Sequence, residues 1–113
     1  MLDVRRLRIL HAVSSYGSVT AAAAALGYSA PAVSQQLAAL EREVGMRLTE
    51  RAGRGIELTP AAVILVSHTD ALLARLDTAE SDLAEQQEQL RQFRQRLIAF
   101  RQKLADFPDV AIE

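Results

Sequence analysis

Residues 18–45 read SVTAAAAALGYSAPAVSQQLAALEREVG. Ser18 is placed to cap a helix by accepting a backbone N–H, and Val19–Leu26 is almost all alanine. Alanine favours helix and lets a neighbouring helix approach closely. Gly27 supplies the left-handed residue that ends such a helix, and Tyr28 can fold back on it. Ser29 caps the next helix, with Pro31 in its first turn, where a missing N–H costs nothing. Val33, Leu37, Leu40 and Val44 recur at helical spacing and predict one buried stripe. The opposite side holds Pro31, Gln35, Ala38 and Arg42, with Ser34 at its edge. A short helix, a glycine turn and a second helix with a small, polar outer face is the layout of a helix-turn-helix, whose second helix enters the major groove of DNA.

The flanks extend this pattern. Upstream, Val4–Ser15 predicts a helix with Leu7, Leu10, Val13 and His11 on one face, stopped by Gly17. Downstream, 48–50 and 56–58 are short strand candidates around the basic, glycine-rich RAGRG, which suits the tip of a hairpin near a phosphate backbone. Thr59 followed by Pro60 marks the start of a long fourth helix. The acids Glu41 and Glu43 fall late on the third helix, away from the end that would face a groove.

The fourth helix carries a heptad. Leu76, Leu83, Leu90, Leu97 and Leu104 are spaced by seven, with Ala79, Gln86, Phe93, Phe100 and Phe107 between them. This is a coiled-coil seam with a weak point at Gln86. Pro108 should end it. A helix of about 45 residues would span roughly 70 Å. It cannot hide its own stripe, so it needs a partner, and self-association is the economical answer. Leu65, Leu72, Leu76, Leu83, Leu90, Phe93, Leu97 and Phe100 are the dimerisation candidates.

Composition is consistent with a mainly α protein: half the residues are apolar but only 4% are aromatic, with alanine and leucine dominant. No apolar run is long enough for a membrane span, the start is too polar for a secretory signal, and no membrane partner is expected. Cysteine is absent, which removes disulfides and cysteine metal sites and fits the cytoplasm, in company with the nucleoid. His11 and His68 have no ligand pattern around them; the first reads as a half-buried packing residue, the second as a surface or seam residue. No cofactor or metal is expected. An enzyme is not indicated either: there is no phosphate-binding glycine loop, no nucleophile elbow, and Glu41 and Glu43 diverge on their helix. The net charge of −1 argues against a nucleic-acid binder until its distribution is read. Residues 1–58 carry +2, residues 59–84 carry −3, and residues 85–113 are neutral.

The stretches LRILHAVSSYGSVTAAAAALGYSAPAVSQQLAALEREVG (7–45) and RLTERAGRGIELTPA (47–61) resemble the N-terminal DNA-binding domain of LysR-type transcriptional regulators, and the likeness runs over about the first 80 residues. The resemblance implies a winged helix-turn-helix whose fourth helix pairs antiparallel with that of a second subunit. It implies a homodimer, with a tetramer also allowed, on an interrupted palindrome in double-stranded DNA. Carried onto this chain, Ala30, Pro31, Ser34 and Gln35 would read base edges. Ser18, Thr20, Ser29, Gln36 and Arg51 would hold phosphates, and Arg54 in the wing would reach towards the minor groove. Three positions depart from the common pattern: Thr49, where many members have phenylalanine; Gln35, where many have arginine; and Ala62, where many have glycine. Glutamine favours an adenine edge and arginine a guanine, so the half-site should differ from the commoner one.

These readings divide the chain into a winged helix-turn-helix (1–58), a linker and dimerisation helix (59–84) and a helical, coiled-coil-like tail (85–113). The tail matches no part of the family pattern. No effector-binding domain is expected within these residues, so small-molecule sensing is expected to have no site in this sequence. Arg5, Arg6 and Arg8 read as a solvated face. So do Arg91, Arg94, Arg96, Arg101 and Lys103, set among acids and glutamines. The competing function is a helical protein-interaction module, in which the tail captures full-length relatives or another helix.

Overall fold

The computed structural model describes residues 1–106. Phe107 and Pro108, the last seam position and the expected helix stop, lie outside them. The elements run α1 (Val4–Tyr16), α2 (Val19–Leu26), α3 (Ala30–Val44), β1 (Thr49–Ala52), β2 (Gly55–Leu58) and α4 (Pro60–Ala105). The three early helices and their boundaries follow the capping residues. Ser18 Oγ accepts from the Ala21 N–H (3.0 Å) and Ser29 Oγ from the Ala32 N–H (3.2 Å). Asp3, which the helical periodicity does not flag, caps α1 by accepting from the N–H groups of Arg5 and Arg6. At the α2–α3 turn, Gly27 adopts φ +73°. Its N–H reaches the Ala24 carbonyl and the Tyr28 N–H reaches the Ala23 carbonyl. That paired closure consumes two orphan carbonyls of α2 and fixes the angle at which α3 departs.

Residues 1–74 form one unit. Its core is built from α1 (Leu7, Ile9, Leu10, Ala12, Val13), from Ala22 and Ala23 of α2, and from Val33, Leu37 and Leu40 of α3. The alanines of α2 do what their size allows: with only a methyl to bury, α2 lies close against both neighbours. Val44, expected at the end of the buried stripe, is half-buried. Ala62 of α4 is fully buried. The Ala62 methyl fills core space, a role beyond the helix stiffening expected of it.

The hairpin is longer than 48–50 and 56–58. Thr49 pairs with Leu58 and Ala52 with Gly55, leaving Gly53 and Arg54 as a two-residue loop. Gly53 has φ +60° and no non-glycine residue has positive φ. That combination marks a type II′ turn, whose twist suits antiparallel strands. The sequence RAGRG is therefore mostly strand, with only its centre at the tip. Thr59 ties the wing to the last helix. Its hydroxyl donates to the Arg47 carbonyl (2.7 Å) and accepts from the Ala62 N–H (3.2 Å), while its own N–H donates to the Leu48 carbonyl (3.0 Å).

The second unit begins at Arg75 and is the remainder of α4. Among the described residues its seam leucines and phenylalanines are exposed apart from Leu104, which is half-buried. Among the described residues no single helix is long and apolar enough to cross a membrane.

Candidate nucleic-acid interface

The two sides of α3 differ as its sequence requires. Val33, Leu37 and Leu40 are buried, while Pro31, Ser34 and Gln35 are exposed. Ala30 is half-buried and packs against the core, so only part of its methyl faces outward. Ser29 and Thr20 are exposed, and Ser18 is half-buried. Both serine hydroxyls accept from helix N–H groups, which leaves each hydroxyl hydrogen to donate outward. Arg51 on β1 and Arg54 at the hairpin tip are exposed. The α2 and α3 N-termini carry no acidic residue in their first turns, so their backbone donors meet no local negative charge.

Several groups are held in ways the sequence does not announce. Gln36 is half-buried, and its Oε1 accepts from Arg6 Nε (3.0 Å). Arg6 also pairs with Glu43 (2.5 Å). Of the three early arginines only Arg5 and Arg8 are the exposed face expected; Arg6 joins α1 to α3. Glu41 Oε2 accepts from the Leu48 N–H (2.8 Å), fastening the end of α3 to the start of the wing. His11 Nε2 lies 3.0 Å from Asp70 Oδ1 on α4, in addition to its expected packing role. His68 is exposed. These contacts join residues 7 to 59 positions apart, so no local pattern could reveal them.

Of the dimerisation candidates, Leu65 is half-buried and packs against the core of its own chain. Leu72, Leu76, Leu83, Leu90, Phe93, Leu97 and Phe100 are exposed.

This architecture has close counterparts. Residues 4–63 match the model of the bacterial regulatory helix-turn-helix proteins of the lysR family. The transcriptional regulator TfdT of Cupriavidus pinatubonensis is 37% identical over 65% of this chain and 32% of its own length. The regulator BudR of Klebsiella aerogenes is 42% identical over 69% of this chain and 54% of its own length. The chain thus spans less than two thirds of either relative. Among solved structures, a complex of the CbnR DNA-binding domain with DNA superposes with a TM-score of 0.64 at 35% identity, covering 74% of this chain and 94% of that one. The relatives are transcriptional regulators rather than enzymes. With the family model spanning the three helices, the wing and the first turn of α4, this chain belongs to the lysR family and carries its winged helix-turn-helix DNA-binding domain.

Proposed function

We propose that the chain acts as a dimeric, sequence-specific reader of double-stranded DNA in transcription regulation, working at the bacterial nucleoid. The observation that carries this reading is the exposed edge of α3: Pro31, Ser34 and Gln35 face outward from a helix whose other side is locked into the core. A small, polar edge fits a major groove, where a glutamine pairs with an adenine. Ala30 and Pro31 would contact base edges through apolar surface, and Ser34 and Gln35 through hydrogen bonds. Ser18, Thr20, Ser29, Gln36 and Arg51 would hold phosphates, and Arg54 would extend towards the minor groove. Phosphate contacts set position and base contacts set sequence. Pairing through α4 would fix the spacing of the two reading heads on an interrupted palindrome, as half-site spacing mirrors dimer geometry.

The test is selection of bound sequences from a random duplex pool with the full chain. The expected result is an enriched pair of inverted half-sites whose retention falls as salt rises, since phosphate neutralisation releases counterions. Equal retention of every duplex at moderate ionic strength overturns the reading. The bare seam of α4 favours one other function, capture of a helix from a full-length relative. Stable hetero-association together with no duplex preference selects it instead.

A further inference from the structure

Charge is segregated along the second half of α4. Residues 77–88 hold five acids and no base, and residues 91–103 hold five bases and no acid. The basic stretch also holds Phe93, Leu97, Ile98 and Phe100, where the acidic stretch has one large apolar residue, Leu83. At about 100° per residue, Leu90, Phe93, Leu97, Phe100 and Leu104 fall within an arc of roughly 80°. Phe93 is 57% exposed, Phe100 61% and Ile98, just outside the arc, 67%. Both edges of the arc are positive: Arg94 and Arg101 border one, Arg96 and Lys103 the other. These four bases make no ion pair among the described residues. The far side holds Gln92, Gln95, Ala99 and Gln102, with Arg91 paired to Glu88 at 2.8 Å.

We propose that residues 90–105 bind the surface of an anionic lipid bilayer, lying in its plane with the Leu90, Phe93, Leu97 and Phe100 side chains among the acyl chains and the four flanking bases at the headgroup phosphates. This goes beyond the DNA reading and does not depend on it, and it concerns residues outside those that the family model matches. A helix that lies in a membrane surface binds by its buried apolar area together with the attraction of flanking bases to anionic lipid. A cluster of about four or more Lys and Arg on such a helix selects anionic headgroups. The long basic side chains lay their stems along the apolar arc and raise their charged heads to the phosphates.

The single sign of both edges decides the occupant. A flat anionic surface meets the two edges at once, whereas a partner helix would have to supply acids on both of its own sides. A nucleic-acid backbone answers the charges but offers nothing to an arc of two phenylalanines and three leucines. Among the described residues no single helix is long and apolar enough to cross a membrane, so the helix lies on the surface and does not span it. The acidic block bounds the segment, because Glu85 and Glu88 are repelled by the same headgroups. Gln86 interrupts the heptad just ahead of it, which leaves Leu72, Leu76 and Leu83 to the pairing of α4.

The chain has no tryptophan, so an introduced indole reports on one position. Full-length Phe100→Trp and Gln95→Trp proteins are mixed with vesicles of equal phosphatidylglycerol and phosphatidylcholine, and with vesicles of phosphatidylcholine alone. On the anionic vesicles the Phe100→Trp emission should move to shorter wavelength and be quenched by brominated acyl chains. The Gln95→Trp indole, on the opposite side of the helix, should keep its aqueous emission. Partitioning into the neutral vesicles should be at least about tenfold weaker, and binding to the anionic ones should fall as salt rises. Arg94→Gln with Arg101→Gln should weaken that binding roughly 25-fold, at about fivefold per charge, while Arg94→Lys with Arg101→Lys retains it. Phe93→Ala with Phe100→Ala should weaken it at least about tenfold. No binding to the anionic vesicles overturns the proposal. So does equal binding to both kinds of vesicle, or equal quenching of the two indoles. Vesicle binding unchanged by Phe93→Ala with Phe100→Ala, with a lowered mass in sedimentation, makes the arc a protein seam and overturns it. Weaker retention of duplex DNA by Arg94→Gln with Arg101→Gln, with vesicle binding unchanged, assigns the bases to nucleic acid and overturns it as well. Lost duplex preference with vesicle binding intact overturns the DNA reading alone.

Discussion

Arg6 on α1 holds Gln36 on α3 by an Nε–H···Oε1 hydrogen bond of 3.0 Å, and the same guanidinium reaches Glu43 two turns further along. One cation therefore ties α1 to the helix that carries the proposed reading edge. The pair is half-sheltered, with side-chain exposures of 29% for Arg6 and 22% for Glu43. Removing Arg6 to alanine should cost about 1 kcal/mol, the scale of a charge-assisted hydrogen bond net of solvation. A double-mutant cycle over Arg6 and Glu43 should return a coupling of roughly 0.5–1 kcal/mol in urea unfolding. Zero coupling would mean that the bridge contributes nothing to the placement of α3. Gln36 keeps both amide hydrogens, so its proposed phosphate contact survives the engagement of its oxygen.

The wing gives a separable prediction. Arg54 is exposed at a two-residue tip and makes no ion pair among the described residues. Arg54→Ala should weaken binding to all duplexes alike and reduce the salt dependence by about one counterion. Gly53 tests the tip itself. At φ +60° any L side chain is strained, so Gly53→Ala should cost about 1 kcal/mol in stability although its new methyl would meet open space. Salt-dependent fluorescence anisotropy reads the first effect and thermal melting the second.

Thr59 joins wing and helix through one hydroxyl that donates to the Arg47 carbonyl and accepts from the Ala62 N–H. The residue is buried. Thr59→Ala leaves both partners unsatisfied and should cost about 1–3 kcal/mol in denaturant unfolding. Thr59→Ser keeps the hydroxyl and should lose less than about 1 kcal/mol, since only a methyl goes. Equal losses for the two would place the effect in the methyl.

In the tail, the hydrogen bond from Arg91 holds the Glu88 carboxyl below its ordinary titration range, aided by the charge of Arg91 and a bond from Gln92. A carboxylate depressed by folding contributes stability above its unfolded pKa and loses it as pH falls through the folded value. Local helicity around Glu88 should therefore weaken only in acid, and Arg91→Ala should move the Glu88 carboxyl resonance midpoint back upward in an NMR titration.

Local chemistry explains most of what the sequence reveals. Caps at Ser18, Ser29 and Thr59, the αL glycines and the stripe of Val33, Leu37 and Leu40 each act within a few residues, so spacing alone places α2, α3 and the start of α4. The hairpin is less legible. Its strands reach Ala52 and Gly55 because the type II′ turn needs only two residues, and a short run of polar and glycine residues does not display that economy. The Arg6, Glu41 and His11 contacts are invisible because each depends on how separate elements meet. The proposed reading edge of α3 is legible as a pattern of exposure, and a measurement on bound DNA tests its chemistry.

That measurement turns on Gln35. Its side chain is exposed, no described residue forms a hydrogen bond with it, and it stands on the outward edge of α3 one position from Ser34. A carboxamide presents a donor and an acceptor together, which matches the N6 and N7 edge of adenine in the major groove. Substitution by alanine removes both bonds at one base pair and touches nothing in the core. Affinity for the selected operator should therefore fall by about 1–3 kcal/mol, and preference should relax at one position of each half-site while the others keep theirs. Gln35→Arg should instead move that position towards guanine, whose O6 and N7 both accept. Anisotropy across all single-base operator variants separates these outcomes. A uniform loss at every position for Gln35→Ala would make this residue a backbone contact and transfer base reading to Ser34 and its neighbours. Folding stability should be unchanged in both variants, so any loss of binding comes from the interface.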